Sequence, residues 1–319
     1  INDRVRRWLP HRIRNRWDQR RIEKALAPLQ RTAPMASPDA ASARAEVFML
    51  LCRRDLWIGV LSIKSLLRYT DGQLATTIID DGSLGPAGQA VVDAHLPGCR
   101  WLHASALPSA TADPLRGRPR LTDLVLGGFV FGPKLVFPRA HAKAAKAVLL
   151  DADTVFFRRP AILVDWLGDE RGGALYLHDH RRDDHDEAPA EVTRQFAKFH
   201  ALIGSARHWS LPHLYFNAGL LAFEPQRLDF DIAEAYLEWS SEVPRALQSG
   251  EPGIWFGHWT IEQTAYRLMY GYLDPAPRSF GREYRLEEPG DSVFCHFLRE
   301  GLMRDEAIRR LQGVVAELP

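Results

Sequence analysis

The chain has 319 residues, of which 46% are hydrophobic and 25% charged, and its formal net charge is +1. This composition excludes a chain that is disordered throughout, because there is enough apolar material for a core. The three cysteines cannot all pair with one another and show no CxxC spacing, which excludes a disulfide scaffold and predicts a reducing, cytoplasmic setting.

Residues 1–31 are strongly basic, with ten lysines and arginines against three acids. Apolar side chains interrupt the charges at helical spacing, which predicts a basic amphipathic helix. Such a helix either lies on the inner face of an anionic membrane or packs its apolar stripe on the rest of the chain, the interpretation we favour. Nucleic-acid binding is not expected, because Trp8 and Trp17 alone do not make a platform for stacking bases.

Residues 32–45 are small, polar and proline-containing, and they predict a linker. Beyond the linker, apolar runs predict strands at residues 47–52, 76–79, 147–150, 174–177, 214–223 and 293–297. Helical patterns begin at Asp55, a candidate N-cap, and near Pro86, and they recur at residues 191–203, 232–247, 260–270 and 304–318. The alternation predicts an α/β protein with a mixed, mainly parallel sheet flanked by helices, in a single domain over residues 46–319.

Two acids, Asp151 and Asp153, directly follow the predicted strand at residues 147–150. Side chains two apart in an extended chain point the same way, and ligands of parallel sheets bind beyond the carboxyl ends of the strands. Two carboxylates separated by the small Ala152 form a hard-oxygen site of the kind that Mg²⁺ or Mn²⁺ prefers. The alternative is a solvated turn that contains two acids.

A second pair of acids, Asp80 and Asp81, ends the predicted strand at residues 76–79. Carboxylates at such a position can hydrogen-bond a ribose hydroxyl or a base N–H. Gly82 follows, and because Asp-Gly is a common turn pair, these residues alone favour a plain turn.

The apolar strand predicted at residues 214–223 contains Asn217 and Gly219. An amide beside bare backbone lets a ligand come close, and the alternative is a β-bulge without a ligand.

Polar residues also accompany two later predicted elements. Glu262 and Gln263 follow Thr260, a candidate N-cap, and lie near the positive end of the predicted helix, where an acid is favourable in itself. His296 lies in the apolar strand at residues 293–297, where a lone histidine is more often a hydrogen-bonded core residue than a ligand.

Two segments invite other assignments. Residues 178–187 are rich in histidine and acids, and we interpret them as a loop over the site rather than as a zinc site. The aromatic residues 255–259 are either an acceptor platform or part of the core.

Taken in this order, the segments resemble those of GT-A-fold glycosyltransferases that use a nucleotide-diphospho-sugar, most closely the glycogenin-like and galactosyltransferase-like family 8. The resemblance covers roughly residues 46–300. Its matches are the Asp-x-Asp metal site at residues 151–153, the Phe-Asn-Ala-Gly strand at 216–219, the acidic-Gln pair at 262–263, the late histidine at 296 and the Lys-Leu pair at 134–135.

The chain departs from this family pattern in two places. Members of the family follow the late histidine with a glycine and a Lys-Pro-Trp that hold the diphosphate. This chain has no Lys-Pro-Trp there, and Arg299 or Arg304 is the candidate for the missing positive charge. Thr264 stands where the family's Asp-Gln-Asp has its second acid.

The resemblance implies a metal-dependent transfer of a sugar from a nucleotide-diphospho-sugar, with a UDP-sugar favoured, to a glycan, lipid-linked or small-molecule acceptor, with retention of configuration. It implies that Asp151, Asp153 and His296 bind Mn²⁺ or Mg²⁺. The residues that it places around the nucleotide and its phosphates are Asp80, Asp81, Lys134, Asp151, Asp153 and Arg299.

The resemblance further implies that Asn217, Glu262 and Gln263 line the donor-sugar and acceptor side of the site. If the reaction inverts configuration, Glu262 is the candidate general base. The alternatives are a catalytically degenerate sugar-binding domain of the same fold and a sugar nucleotidyltransferase. The second normally carries a glycine-rich phosphate loop after its first strand, where residues 51–55 of this chain contain no glycine.

Overall fold

The structure is a computed structural model that describes residues 11–105, 113–170, 172–178, 190–204, 209, 216–242, 261–299 and 301–319. The strands in this part of the chain are β1 Ala45–Leu51, β2 Leu74–Asp80, β3 Arg100–His103, β4 Ala147–Leu150, β5 Thr154–Phe156, β6 Leu175–His178, β7 Phe216–Phe223, β8 Arg278–Ser279, β9 Tyr284–Leu286 and β10 Phe294–His296. The helices are α1 His11–Leu26, α2 Leu56–Leu67, α3 Gly85–His95, α4 Pro119–Leu126, α5 Gly132–His141, α6 Ala161–Gly168, α7 Ala190–Leu202, α8 Phe230–Glu242, α9 Ile261–Gly271 and α10 Asp305–Glu317. Among these helices, none has the length and apolar composition needed to cross a membrane.

The central sheet has the strand order β3-β2-β1-β4-β7-β6-β8. Strand β1 runs parallel to both β2 and β4, β2 runs parallel to β3, and β7 is antiparallel to both of its neighbours. The predicted fold class, a mixed and mainly parallel sheet flanked by helices, is therefore confirmed. A second, three-stranded sheet of order β5-β10-β9 was not predicted.

The central sheet separates two apolar cores. Val47 and Met49 of β1 pack into one core, whereas Phe48 between them packs into the other. Successive side chains of a strand point to opposite faces, so a strand that is buried on both faces needs a continuous apolar run. This requirement explains why residues 47–51 of β1 and residues 147–150 of β4 were recognisable in the sequence as short unbroken apolar segments.

One charged residue, Glu46, is fully buried within β1. Its carboxylate accepts hydrogen bonds from Arg100 Nε at 3.1 Å and from the backbone N–H of Lys143 at 2.8 Å. Burial of a charge is tolerated when the charge is paired and hydrogen-bonded, as it is here. The pair ties the central strand to β3 and to the segment that leads into β4.

Residues 11–31 pack on the domain. Ile22, Leu26 and Leu29 are buried in the same core as α2 and α10. Arg21 Nη1 donates to the backbone oxygen of Met303 at 2.7 Å. For these residues the arrangement matches the interpretation in which the apolar stripe packs on the rest of the chain, whereas residues 1–10 lie outside the described part.

Candidate functional site

The two acids predicted to bind a metal lie at the carboxyl end of β4. Asp151 follows the last residue of the strand, and its backbone N–H donates to the Gly219 carbonyl of β7 at 2.9 Å. Thr154 Oγ1 donates to the Asp151 carbonyl at 2.7 Å, which tightens the turn that leads into β5. The side chains of Asp151 and Asp153 remain 25% and 22% exposed, so both carboxylates are open to a ligand.

His296 reaches these acids through the second sheet. Strand β10 pairs with β5 in a register that sets His296 opposite Thr154, the residue after Asp153. His296 Nε2 lies 3.2 Å from Asp153 Oδ1 and 3.6 Å from Asp151 Oδ2. One ligand atom from each of the three residues lies within 4.8 Å of the others.

Strand β7 fixes the orientation of the His296 ring. Asn217 Oδ1 accepts the Gly219 N–H at 2.8 Å and lies 3.0 Å from His296 Nδ1. Because a backbone N–H can only donate, the atom that faces it is the amide oxygen, and His296 Nδ1 must then carry a proton. The Nε2 atom is the one that faces the two carboxylates.

Gly219 makes room for the imidazole. A Cβ atom at this position would lie 2.2 Å from His296 Nδ1 and 2.9 Å from Asn217 Oδ1. The space beside the Gly219 backbone was predicted to admit a ligand. In the structure the ring of His296 fills it. A glycine is needed here for this close approach.

The three residues fit a divalent cation. Two carboxylates and one imidazole form a donor set suited to Mn²⁺ or Mg²⁺, with the carboxylates as hard oxygen ligands. The hydrogen bond at Nδ1 leaves Nε2 as the nitrogen that can coordinate, as is usual for metal-binding histidines. Burial opposes a positive charge on His296, yet the neighbouring carboxylates raise its pKa, so the pocket favours a cation at this point.

A buried lysine bridges the Asp151 carboxylate and α9. Lys134 of α5 lies with its Nζ 2.6 Å from Asp151 Oδ1 and 2.6 Å from Glu262 Oε1. Burial disfavours the lysine charge, but the two carboxylates outweigh it and raise the pKa of Lys134. Burial also raises the pKa of Glu262, against the opposing effect of Lys134.

The neighbouring Gln263 contacts β7 rather than the acids. Its Oε1 accepts the backbone N–H of Ala218 at 3.2 Å. The first turn of α9 is thereby joined to the strand that carries Asn217. Thr260, the predicted N-cap of this helix, and the aromatic segment at residues 255–259 lie outside the described residues.

The acids after β2 form a turn. Asp80 is buried, and its Oδ1 accepts the Gly82 N–H at 2.8 Å, while Gln89 Nε2 donates to its Oδ2 at 3.2 Å. Asp81 is less buried, and it accepts the Ser83 N–H at 2.9 Å. Both acids thus take part in the turn, and Asp81 has more exposed surface than Asp80.

Arg299 contacts Asp153 through its backbone. Its N–H donates to Asp153 Oδ2 at 2.8 Å, and its side chain reaches Asp55, with Nη1 3.2 Å from Oδ1. Both Leu298 and Arg299 have positive φ, at 46° and 57°, a conformation that is uncommon outside glycine. The turn after β10 is therefore held in an unusual shape next to Asp153.

Sequence reasoning missed the role of Asp55. It was predicted as the N-cap of α2 and does occupy that position, but its side chain makes no capping hydrogen bond. Its carboxylate instead pairs with Arg54 at 2.6 Å and with Arg299 at 3.2 Å. Nothing in the local pattern signals the partner 244 positions away.

The structure thus brings most of the predicted site residues together in one cluster. The cluster is linked by hydrogen bonds and ion pairs and consists of Lys134, Asp151, Asp153, Asn217, Glu262, Gln263, His296 and Arg299. The turn at Asp80 and Asp81 is bonded to the segment after β1, where the Arg53 N–H donates to Ser83 Oγ at 2.8 Å. Of the predicted loop at residues 178–187, only His178 is described.

No protein-family model matches the chain, and no curated protein matches it in sequence. Among solved structures, the chain is similar to mouse xyloside xylosyltransferase 1, with 10% identity over 82% of this chain and 98% of that one and a TM-score of 0.46. It is similar to core-mannan synthase A from Aspergillus fumigatus, with 14% identity over 78% and 75% of the two chains and a TM-score of 0.46. It is also similar to the galactosyltransferase LgtC, with 11% identity over 86% and 96% and a TM-score of 0.42.

Proposed function

We propose that this protein is a metal-dependent glycosyltransferase of the GT-A type, which moves a sugar from a nucleotide-diphospho-sugar to an acceptor. The observation that carries the proposal is the convergence of Asp151, Asp153 and His296, with Nε2 of the imidazole facing both carboxylates. The order of the motifs along the chain resembles that of family 8, and this resemblance supports sugar transfer as the class of reaction. The same resemblance favours a UDP-sugar as donor and retention of configuration.

In this proposal Asp151, Asp153 and His296 hold Mn²⁺ or Mg²⁺. When bound, the cation neutralises the diphosphate and stabilises it as a leaving group. Asn217 acts through His296, because its hydrogen bond keeps the proton on Nδ1. This assigns Asn217 a positioning role in place of the contact with the donor sugar that the resemblance implied.

Lys134 sets the Asp151 carboxylate in place. Its ammonium binds Asp151 Oδ1, whereas Oδ2 is the oxygen nearer to His296. The same ammonium binds Glu262, so one lysine joins Asp151 to the start of α9. Glu262 and Gln263 then border the donor sugar, and Asp81 is the candidate for the ribose or base.

The acceptor in this proposal is a glycan, such as a bacterial surface glycan, or a lipid-linked or small-molecule acceptor. A reaction that retains configuration needs no strong protein nucleophile, because the departing phosphate can itself accept the proton of the acceptor. In a reaction that inverts configuration, Glu262 is the candidate base, and burial raises its pKa.

The test is a thermal-shift panel of UDP-, GDP-, CMP- and dTDP-sugars, each measured with Mn²⁺ and with EDTA. A ligand that binds only the folded state raises the melting temperature by mass action. We expect a shift with one nucleotide that is lost in EDTA, followed by Mn²⁺-dependent release of the nucleoside diphosphate from that donor. The anomer of the released sugar, read by NMR, reports retention or inversion.

Matched variants sharpen this test. Asp151→Asn and Asp153→Asn should abolish the Mn²⁺-dependent shift and the release, whereas Asp165→Asn, an exposed acid on α6, should change neither. A shift without turnover of any donor would favour a degenerate sugar-binding domain. The absence of any shift at concentrations far above ordinary donor affinities would contradict the proposal.

A further inference from the structure

Two arginines share one carboxylate beside the metal acids. Arg54 binds Asp55 with two nitrogens, Nε at 3.0 Å and Nη2 at 2.6 Å, and Arg299 Nη1 binds the same carboxylate at 3.2 Å. The two arginines come from opposite ends of the domain, one from the turn after β1 and one from the turn after β10. Asp55 therefore fixes two guanidinium groups side by side.

These guanidinium groups have N–H donors to spare. Within the described chain, Arg54 Nη1 makes no hydrogen bond, and neither do Nε and Nη2 of Arg299. The Arg54 side chain is 55% exposed and that of Arg299 is 28% exposed, whereas Asp55 is only 18% exposed. A second acid, Asp18 of α1, also acts electrostatically on the Arg299 side chain, and it is buried. The spare donors therefore belong to side chains that are more exposed than the carboxylate they share.

The pair is joined directly to the metal acids. The Arg299 backbone N–H holds Asp153 Oδ2 at 2.8 Å, so the position of the guanidinium is coupled to that of a predicted metal ligand. A planar guanidinium presents its donors in a fixed fork that matches phosphate oxygens. A diphosphate has oxygens on two phosphorus centres, so it can contact a cation at Asp153 and a guanidinium group at the same time.

We infer that Arg54 and Arg299 together bind the diphosphate of the donor, with Asp55 as the residue that positions them. The inference rests on the proposed function and deepens it. The two arginines would supply the diphosphate contacts that Lys-Pro-Trp makes in the family. One of them, Arg54, comes from the turn after the first strand. Neither the motif pattern nor the comparisons assign Arg54 to a ligand.

The experiment uses inorganic pyrophosphate as a probe that is independent of the base and the sugar. Its binding to the full chain in the presence of Mg²⁺ is measured by calorimetry for the wild type, Arg54→Ala and Arg299→Ala. Because each variant removes hydrogen bonds to a charged group, we expect the affinity to fall about tenfold or more in each. Arg53→Ala is the matched control, since it removes an exposed neighbour of the same charge.

Two further measurements separate a clamp for a diphosphate from a general effect of charge. Arg54→Lys should restore only part of the affinity, because an ammonium lacks the fork of a guanidinium. Mn²⁺ binding without pyrophosphate should be the same in Arg54→Ala as in the wild type, because Arg54 is not among the predicted metal ligands. Melting temperatures of all variants report whether they are folded.

The outcomes distinguish the inference from the function on which it rests. If wild-type protein binds neither pyrophosphate nor any nucleoside diphosphate with the metal present, the proposed function fails and the inference fails with it. If the wild type binds pyrophosphate but Arg54→Ala and Arg299→Ala bind it as tightly as Arg53→Ala, the inference alone is wrong. A loss that Arg53→Ala shows equally would also overturn it, since bulk charge would then explain the binding.

Discussion

Asn217 Oδ1 lies 3.0 Å from His296 Nδ1, so an amide on the central sheet determines which imidazole nitrogen faces the carboxylates of Asp151 and Asp153. The Gly219 N–H donates to the same amide oxygen, which fixes the positions of the oxygen and the nitrogen of the Asn217 side chain. In metal sites, a hydrogen bond to the second nitrogen of a ligating histidine commonly affects the metal affinity about 10–100-fold.

Asn217→Ala should therefore weaken Mn²⁺ binding by about 10–100-fold, because nothing then keeps the proton on Nδ1. The Mn²⁺ affinity can be followed by electron paramagnetic resonance as free ion is consumed. Asn217→Asp keeps an oxygen acceptor and should stay closer to the wild type. Gln263→Ala is the control, since Gln263 bonds the same strand at Ala218, and equal affinities in Asn217→Ala and the wild type would contradict the prediction.

Gly219→Ala should displace the imidazole without removing any predicted ligand. A Cβ atom would lie 2.2 Å from His296 Nδ1, so the ring or the strand must move. Metal sites depend on ligand placement to within a few tenths of an ångström. We expect weaker Mn²⁺ binding and a lower melting temperature, whereas Gly168→Ala, where a Cβ atom would meet nothing within 4 Å, should leave the Mn²⁺ affinity unchanged. Unaltered Mn²⁺ binding in Gly219→Ala would contradict the prediction, because it would show that the His296 ring can move aside and still bind the metal.

The central sheet and the pair of acids at its edge, Asp151 and Asp153, were recognisable in the sequence because each depends on a local pattern. Strand β4 is an unbroken apolar run, and residues 151–153 follow it directly. His296 was proposed only through the family resemblance, because the contact depends on the register of β5 against β10. Strand β10 lies within the strand predicted at residues 293–297, but its partners β5 and β9 have only three residues each, too few for a periodic signal, so the second sheet was missed.

Helix α5, which carries Lys134, was not predicted as a helix. It contains Pro138 in its interior as well as a proline in its first turn, a composition that favours a loop. Lys134 was nevertheless singled out from its motif, although no sequence pattern shows that its ammonium lies between two carboxylates. Such long-range pairings, like that of Asp55 with Arg299, follow from the tertiary fold.

Lys134→Met should destabilise the protein by about 3 kcal/mol, because Asp151 and Glu262 would face each other without the ammonium between them. Chemical denaturation measures the free energy of unfolding. Adding Glu262→Gln to Lys134→Met should recover most of that loss, since it removes one of the two uncompensated charges. If the effects of Lys134→Met and Glu262→Gln on the free energy of unfolding simply add in the double variant, the predicted coupling is wrong.

Lys64 supplies a prediction about pH. The side chain is fully buried, and its Nζ donates to Thr32 Oγ1 and to the Ala33 carbonyl, each at 2.6 Å, which ties the linker to α2. Burial lowers the pKa of Lys64 from 10.5 to about 8. Between these two values the unfolded chain binds more protons than the folded one, so the contribution of Lys64 to stability rises with pH across this window.

Melting temperatures of the wild type and of Lys64→Met, measured from pH 7 to pH 10, test this prediction. The melting temperature of the wild type should rise relative to that of Lys64→Met as the pH increases above about 8. The reason is that Lys64 becomes neutral at a lower pH in the folded chain than in the unfolded chain. Other groups titrate in both proteins and cancel in the difference. A constant difference across this range would mean that the ammonium stays charged when buried, and that its two oxygen acceptors offset the cost of burial.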